Sequence, residues 1–395
     1  MRANPLGFLE SELDSLRLRG LFRPLRVLDA EQQAHASIDH ASVVNLSSNN
    51  YLGLTTHPVL RERALEAIRR FGVGSGSVRT IAGTMRIHLE LERRLAAFKR
   101  TEAAVVFQSG FTANAGTVSS LLGREDFIVS DELNHASIID GARLSRATIK
   151  VFPHRDALAA RQIVRDLPRT GHVLIISDGV FSMDGDLGVL PALCDVADEY
   201  GCIMMVDDAH ASGVFGEQGR GTVDHFGLHG RVDVQVGTLS KAFGALGGYV
   251  AGSQSLIEFL YHRARPFLFS TSHPPSVAAT CLAALDVLES EPTLIARLWE
   301  NTRFFKEGLH SLGFDIGVSE SPITPVIVGD GALAMRLSDR LFSFGVFAQG
   351  LGFPTVPEGR ARVRTIVMAT HTTAELQFAL DAFARAGREL GILAA

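Results

Sequence analysis

The chain has 395 residues, of which 46% are hydrophobic and 21% charged. That is enough for two or three structural units with a large buried core, and it excludes a disordered or fibrous protein. The formal net charge is −5, and without a long basic run there is no electrostatic footprint for nucleic acid or an anionic membrane.

The first segment predicts an amphipathic helix, with Phe8, Leu9, Leu13 and Leu16 on one face and Gly20 closing its end. A short β region follows at 43–46. Leu91, Leu95 and Phe98 return to helical spacing. From 103 to 252, apolar β-rich runs alternate with helical stretches: AAVVF (103–107), FIV (127–129), HVLII (172–176), CIMMV (202–206), VDVQV (232–236) and GYVAG (248–252). Short apolar runs without polar alternation suit strands buried on both faces, so an α/β fold with a mostly parallel sheet is expected. The last hundred residues differ. TPVIV (324–328) and ARVRTIVM (361–368) predict strands around a helix near 333–343, and Thr372 with Glu375 forms a capping box for a final helix. This predicts a smaller α+β domain.

Cys194, Cys202 and Cys281 are odd in number and form no CxxC pair, which disfavours a disulfide framework or structural zinc and fits a reducing compartment. The first residues lack the apolar core of a signal peptide. The longest uncharged stretches, 103–123 and 266–285, are broken by Gly, Pro, Ser, Thr or Asn. A cytoplasmic protein is expected.

In such sheets ligands sit at the carboxyl ends of strands. Gln108-Ser109-Gly110-Phe111-Thr112 follows the first run, a small-residue helix start that suits a phosphate but is common in purely structural junctions. His135 ends the segment after FIV. Asp178 to Gly185 forms a polar loop after HVLII. Asp207-Asp208-Ala209-His210 follows CIMMV, and Thr238-Leu239-Ser240-Lys241 follows VDVQV. Together they deliver N–H groups, two histidines, an acid and a lysine to one rim. A loop lysine suits an imine-forming amine, and Asp207 suits a pyridinium nitrogen; alone, Lys241 reads as a solvated side chain. Gly72 to Ser77 is not a dinucleotide fingerprint, since Ser77 occupies the third glycine position and a helical stretch precedes it. A metal site on Asp207, Asp208 and His210 is disfavoured because neighbouring strand residues point to opposite faces. Arg360, Arg362 and Arg364 share a strand face, which fits either solvent exposure or one arginine turned inward to grip a carboxylate.

SNNYLGL (48–54), SVRTIAGT (77–84), SDELNHASIIDGARLS (130–145), DGVFSMDGD (178–186), VDDAHASGVFGEQGRG (206–221), GTLSKAFG (237–244), RPFLFSTSHPP (265–275) and RARVRTIVMATHT (360–372) closely resemble the α-oxoamine synthases. The resemblance runs from Gly20-Leu21-Phe22 to the last helix. These are fold-type I pyridoxal 5'-phosphate (PLP) transferases that condense an amino acid with an acyl-CoA. The implied organisation is an N-terminal helix and short β segment over 1–50, a large PLP-binding domain over 51–290 and a small C-terminal domain over 291–395.

The resemblance implies that Lys241 carries PLP as a Schiff base and later moves the substrate α-proton. It implies that His135 stacks on the ring, Asp207 pairs with the pyridinium nitrogen and His210 contacts the ring hydroxyl. Gly110 and Phe111 would bind the phosphate through backbone N–H groups, and Thr238 through its hydroxyl. Some relatives carry Cys at position 110, a change that a backbone contact survives. Thr271 and Ser272 would reach the phosphate of a neighbouring subunit, making an obligate homodimer. Asn49, Ser182 and Arg364 would hold the substrate carboxylate, with Ser182 also near the cofactor. The favoured reaction is that of the glycine C-acetyltransferases (2-amino-3-ketobutyrate CoA ligases), glycine with acetyl-CoA. The alternative is that of the 8-amino-7-oxononanoate synthases, which join alanine to a pimeloyl thioester with loss of CO2 in biotin biosynthesis. The intact set of Lys241, Asp207, His135 and Arg364 argues against a non-catalytic binding protein, and the motifs against an aminotransferase or threonine aldolase.

Overall fold

A computed structural model of the chain describes residues 4–394 apart from 21, 23 and 169, so Leu21 of the Gly20-Leu21-Phe22 motif lies outside the described residues. A helix at Phe8–Leu18 buries none of its residues. Strands β1 (His35–Ile38) and β2 (Ala41–Asn45) form a hairpin, and β2 pairs in parallel with β11 (Val346–Phe347), so the N-terminal hairpin joins the C-terminal segment.

The central sheet holds β3 (Ala103–Phe107), β4 (Phe127–Asp131), β5 (Thr148–Phe152), β6 (Val173–Asp178), β7 (Ile203–Asp207), β8 (Val234–Thr238) and β9 (Gly248–Gly252), in the spatial order β3-β9-β8-β7-β6-β4-β5. The run from β5 to β8 is parallel, and β9 lies antiparallel to both β8 and β3. The inner strands are buried nearly throughout because helices cover both faces. One face packs Val105, Ile176, Met205 and Val236 against the helices at Gly110–Leu121 and Ala136–Ser145. The other packs Ile175, Met204 and Val206 against helices at Ala157–Asp166 and Leu190–Tyr200. This is the mostly parallel α/β layer predicted from the apolar runs.

Two differences from the sequence reading have clear causes. β5 (TIKVF) was not anticipated because it is an exposed edge strand with an interior lysine, so its apolar run is broken. Several strands also run further than their apolar cores, so that Asp131, Asp178, Asp207 and Thr238 end strands rather than follow them.

The smaller sheet pairs β10 (Ile323–Gly329) and β12 (Gln349–Leu351) with β13 (Ala361–Ile366), all antiparallel. The final helix, Thr373–Glu389, starts on the predicted capping box of Thr372 and Glu375. Among the described residues no helix is long and apolar enough to cross a membrane.

Candidate active site

The carboxyl ends of β3, β4, β6, β7 and β8 converge on a cavity of about 200 Å³ lined by Gly110, Phe111, His135, Asp207, Thr238 and Lys241, with Ser182 and His210 also on its wall. Each arrives for a local reason. The helix after β3 starts where the Ser109 hydroxyl accepts the Thr112 N–H at 3.1 Å, so the first turn, with Gly110 and Phe111, opens its N–H groups toward the cavity. His135 caps the next helix by accepting the Ser137 N–H at 3.2 Å. Its own N–H is held 3.0 Å from Asp178 Oδ2.

Asp207 accepts the Ala209 N–H at 2.8 Å on one oxygen and Asn114 Nδ2 at 2.6 Å on the other. Asn114 also donates to Ser137 Oγ at 2.9 Å, and that hydroxyl stands 2.8 Å from His135 Nδ1. A chain of hydrogen bonds therefore links Asp207 to His135 through Asn114 and Ser137. Neither intermediary was singled out from the sequence. The signal for Asn114 was an amide one turn after Gly110, and that for Ser137 a hydroxyl two residues after His135. The neighbouring Asp208 points to the opposite face, where the buried Lys99 Nζ meets it at 2.8 Å, so the two carboxylates do not converge on one point.

The electrostatics follow from this packing. Burial pushes the Lys241 amine down to about 8, against the pull of Asp207 and Asp178, so an appreciable neutral fraction exists near neutral pH. Burial and the nearby Lys241 and Arg364 charges hold His210 well below its usual value. Burial also raises the Tyr51 phenol, which therefore keeps its proton. Tyr51 Oη lies 2.7 Å from His210 Nδ1. A protonated phenol beside a neutral imidazole can donate to Nδ1, and the imidazole proton then sits on Nε2. Asp178 is driven well above the ordinary carboxylate range, by burial first and then by Asp207, its register partner on the adjacent strand. Burial also lowers His135.

Arg364 Nη1 donates to the Ser182 carbonyl at 2.9 Å, and Nη2 approaches Asn49 Oδ1 at 3.5 Å. Asn49, Ser182 and Arg364 are thus brought together, and of the three Ser182 lines the cavity. Of the other two arginines, Arg360 is exposed and lies before the strand. Arg362 is only 1% exposed and binds the Met183 carbonyl and Asp184. The shared face is therefore turned inward by the loop that follows β6, rather than toward solvent. Thr271 and Ser272 stand apart from this chain's cavity: Thr271 offers its carbonyl to Gln108, and the Ser272 hydroxyl bonds Gly83 O at 2.6 Å.

The set fits PLP on its own chemistry. A lowered lysine amine, a buried acid with an open approach, an exposed helix N-terminus for the phosphate and an imidazole at the wall all meet in one cavity. Residues 41–383 match the family described as aminotransferase class I and II, and the chain belongs to that class of PLP-dependent fold-type I enzymes. It is 59% identical to an 8-amino-7-oxononanoate synthase of Symbiobacterium thermophilum, covering 98% of this chain and 99% of that one. It is 54% identical to 8-amino-7-oxononanoate synthase 1 of Bacillus subtilis, covering 98% of each. Among solved structures, a serine palmitoyltransferase of S. paucimobilis with PLP and myriocin bound is similar at a TM-score of 0.94 and 33% identity, covering 98% of each chain. Within its class the chain is an α-oxoamine synthase, a PLP-dependent enzyme of the acyltransferase type. The expectation of glycine with acetyl-CoA finds no support in the two bacterial relatives, both of which are 8-amino-7-oxononanoate synthases, the alternative.

Proposed function

We propose that this enzyme is an 8-amino-7-oxononanoate synthase, condensing alanine with a pimeloyl thioester and releasing CO2. The observation that carries the reading is 59% identity, over 98% of the chain, to a relative of that name. Glycine with acetyl-CoA is the less favoured pair. It would use the same residues up to the new carbon–carbon bond, because the two substrate pairs differ in an acyl chain and one methyl group, and it would release its product without loss of CO2.

PLP, when bound, supplies the electron sink that makes the α-carbon acidic. The residues supply the rest. Lys241 Nζ would hold the cofactor and then take the α-proton, a role suited to an amine lowered to about 8. Asp207, buried and held by Asn114, would keep a proton on the ring nitrogen. His135 would pack against the ring, His210 would contact its hydroxyl, and Gly110, Phe111 and Thr238 would bind the phosphate. Arg364, with Asn49 and Ser182, grips the substrate carboxylate and so fixes which α-bond faces Lys241.

We also propose a homodimer in the cytoplasm. Thr271 and Ser272, which do not line their own cavity, would complete the phosphate site of the partner. The open apolar side of the helix Phe8–Leu18 and the exposed Ile81 and Phe269 support such an interface.

The test is a substrate cross. Purified enzyme loaded with PLP is given alanine or glycine with pimeloyl-CoA or acetyl-CoA, and CoA and CO2 are both measured. The expected result is a higher kcat/KM for alanine with pimeloyl-CoA, with one CO2 per CoA. A higher kcat/KM for glycine with acetyl-CoA would overturn the assignment.

A further inference from the structure

One buried charge cluster beside the site takes no part in the chemistry. His154 follows β5. Its Nδ1 is 3.0 Å from Asp131 Oδ1, and its Nε2 is 2.8 Å from Asp186 Oδ2. An ionised carboxylate only accepts hydrogen bonds, so a ring held between two of them donates from both nitrogens and is an imidazolium. The edge of the ring also packs on Phe181, with centroids 4.4 Å apart.

The two acids belong to different parts of the site. Asp131 ends β4 and also accepts the Leu133 N–H at 2.9 Å and the Arg155 N–H at 2.9 Å. It thereby shapes the turn that delivers His135. Asp186 lies in the loop after β6 that carries Ser182. Its Oδ1 is buried with no hydrogen-bond partner among the described residues. Charge compensation for it comes from His154 and from Arg155 Nη1 at 3.4 Å. The other charged groups around the ring are Glu132, which accepts the His154 N–H at 2.8 Å, and Glu320, which pairs with Arg155 at 3.3 Å.

From its far side the same loop is held by the smaller sheet. Arg362 takes Met183 O and Asp184, and Arg364 takes Ser182 O. Gly185 has φ +74, and a Cβ there would lie 2.5 Å from the Ile323 carbonyl, so the loop backbone packs closely against that sheet. His154 adds a hold on the near side of the same loop.

We propose that His154 is a positioning residue for the substrate-carboxylate site, tying the turn before His135 to the loop that carries Ser182 and so setting where Arg364 stands. This rests on the reading of Arg364 as the carboxylate ligand. Burial disfavours the charged ring, but hydrogen bonds to Asp131 and Asp186 outweigh it and raise His154 to about 9, so the tie holds at neutral pH and is released above that value.

The test uses His154→Gln, which keeps similar size and one donating end but cannot carry charge or donate to both carboxylates, beside His154→Ala and Arg364→Ala. In the PLP-loaded enzyme, His154→Gln is expected to raise the amino-acid KM between about 10- and 100-fold. The acyl-thioester KM, kcat and PLP content should stay within about threefold of wild type. The ratio of mutant to wild-type KM should fall as pH rises through about 9, because the wild type then loses the same charge. His154→Ala, if it folds, should be worse than His154→Gln. An unchanged amino-acid KM in folded His154→Gln, or a loss shared equally by kcat and PLP content, overturns the proposal. If Arg364→Ala leaves the amino-acid KM unchanged, the carboxylate reading itself fails. If Arg364→Ala raises it and His154→Gln does not, only the role of His154 fails.

Discussion

At the scale of single residues, the site combines groups whose environments push them in different directions. Lys241 titrates near 8, and attack on a carbonyl needs its neutral form. The rate at which the apo-protein takes up PLP should therefore rise through about pH 8 and level off above it, followed by absorbance. Lys241→Ala should lose turnover and all borohydride-trappable cofactor, and trapped PLP on that variant would refute the assignment. Asp207→Asn should fold nearly normally. Asn114 Oδ1 has no hydrogen-bond partner among the described residues, so its amide can turn to accept from the new side chain. Activity should nevertheless drop by orders of magnitude, because an amide cannot hold the ring proton. Near-normal turnover would remove that role. Arg364→Ala removes a charged hydrogen bond contributing roughly 1.5–3 kcal/mol, so the amino-acid KM should rise roughly 10- to 150-fold with PLP still bound.

At the scale of elements, two helices present the Gly110–Phe111 turn and His135, and their crossing decides where those groups stand. A Cβ at Gly141, on the helix led by His135, would meet the Ala115 Cα and the Asn114 carbonyl at 3.1 Å. Gly141→Ala must push the helix led by Gly110 outward, and with it Asn114 and the phosphate-binding turn. A fall in Tm together with faster PLP loss on dialysis is expected, and a Tm fall alone would argue that the crossing is merely structural. The loop after β6 is the second such element, and its tie to β4 is pH-dependent. The folded pKa of His154 lies above its unfolded value of 6.5, at about 9. Its contribution is therefore fully present below 6.5 and is lost as pH climbs through 9. The difference between 6.5 and about 9 corresponds to roughly 3 kcal/mol. Wild type should lose Tm between pH 7 and 9.5 relative to His154→Gln, measured by thermal melts in matched buffers. Parallel melting curves across that range would exclude the charged tie.

At the scale of the whole molecule, a chain that leaves Thr271 and Ser272 outside its own cavity needs a second copy to use them in that way. Sedimentation should give twice the 42.6 kDa chain mass, and dilution to monomer should release PLP. Monomers that keep the cofactor and turn over would contradict the shared site.

The sequence by itself determined the sheet and the rim. Unbroken apolar runs reveal strands buried on both faces, and the residues ending those runs fall on one edge of a parallel sheet whatever the details of packing. That is why Lys241, Asp207, His135 and Gly110 were legible as a group. Edge strand β5 was not legible, since a solvated strand needs no apolar run. The tertiary structure decided the partnerships. Asn114 and Ser137 join Asp207 to His135 across two helices, and Tyr51 meets His210 over 159 positions of chain. The tertiary structure also turned Arg362 and Arg364 inward and left Arg360 outside, a choice made by the loop facing the strand and invisible in the alternation itself. Substrate choice lies beyond the motifs for a related reason. An acyl chain is selected by the volume of an apolar channel, at about 0.8 kcal/mol per buried CH2, and that volume is a property of packed surfaces rather than of any one residue.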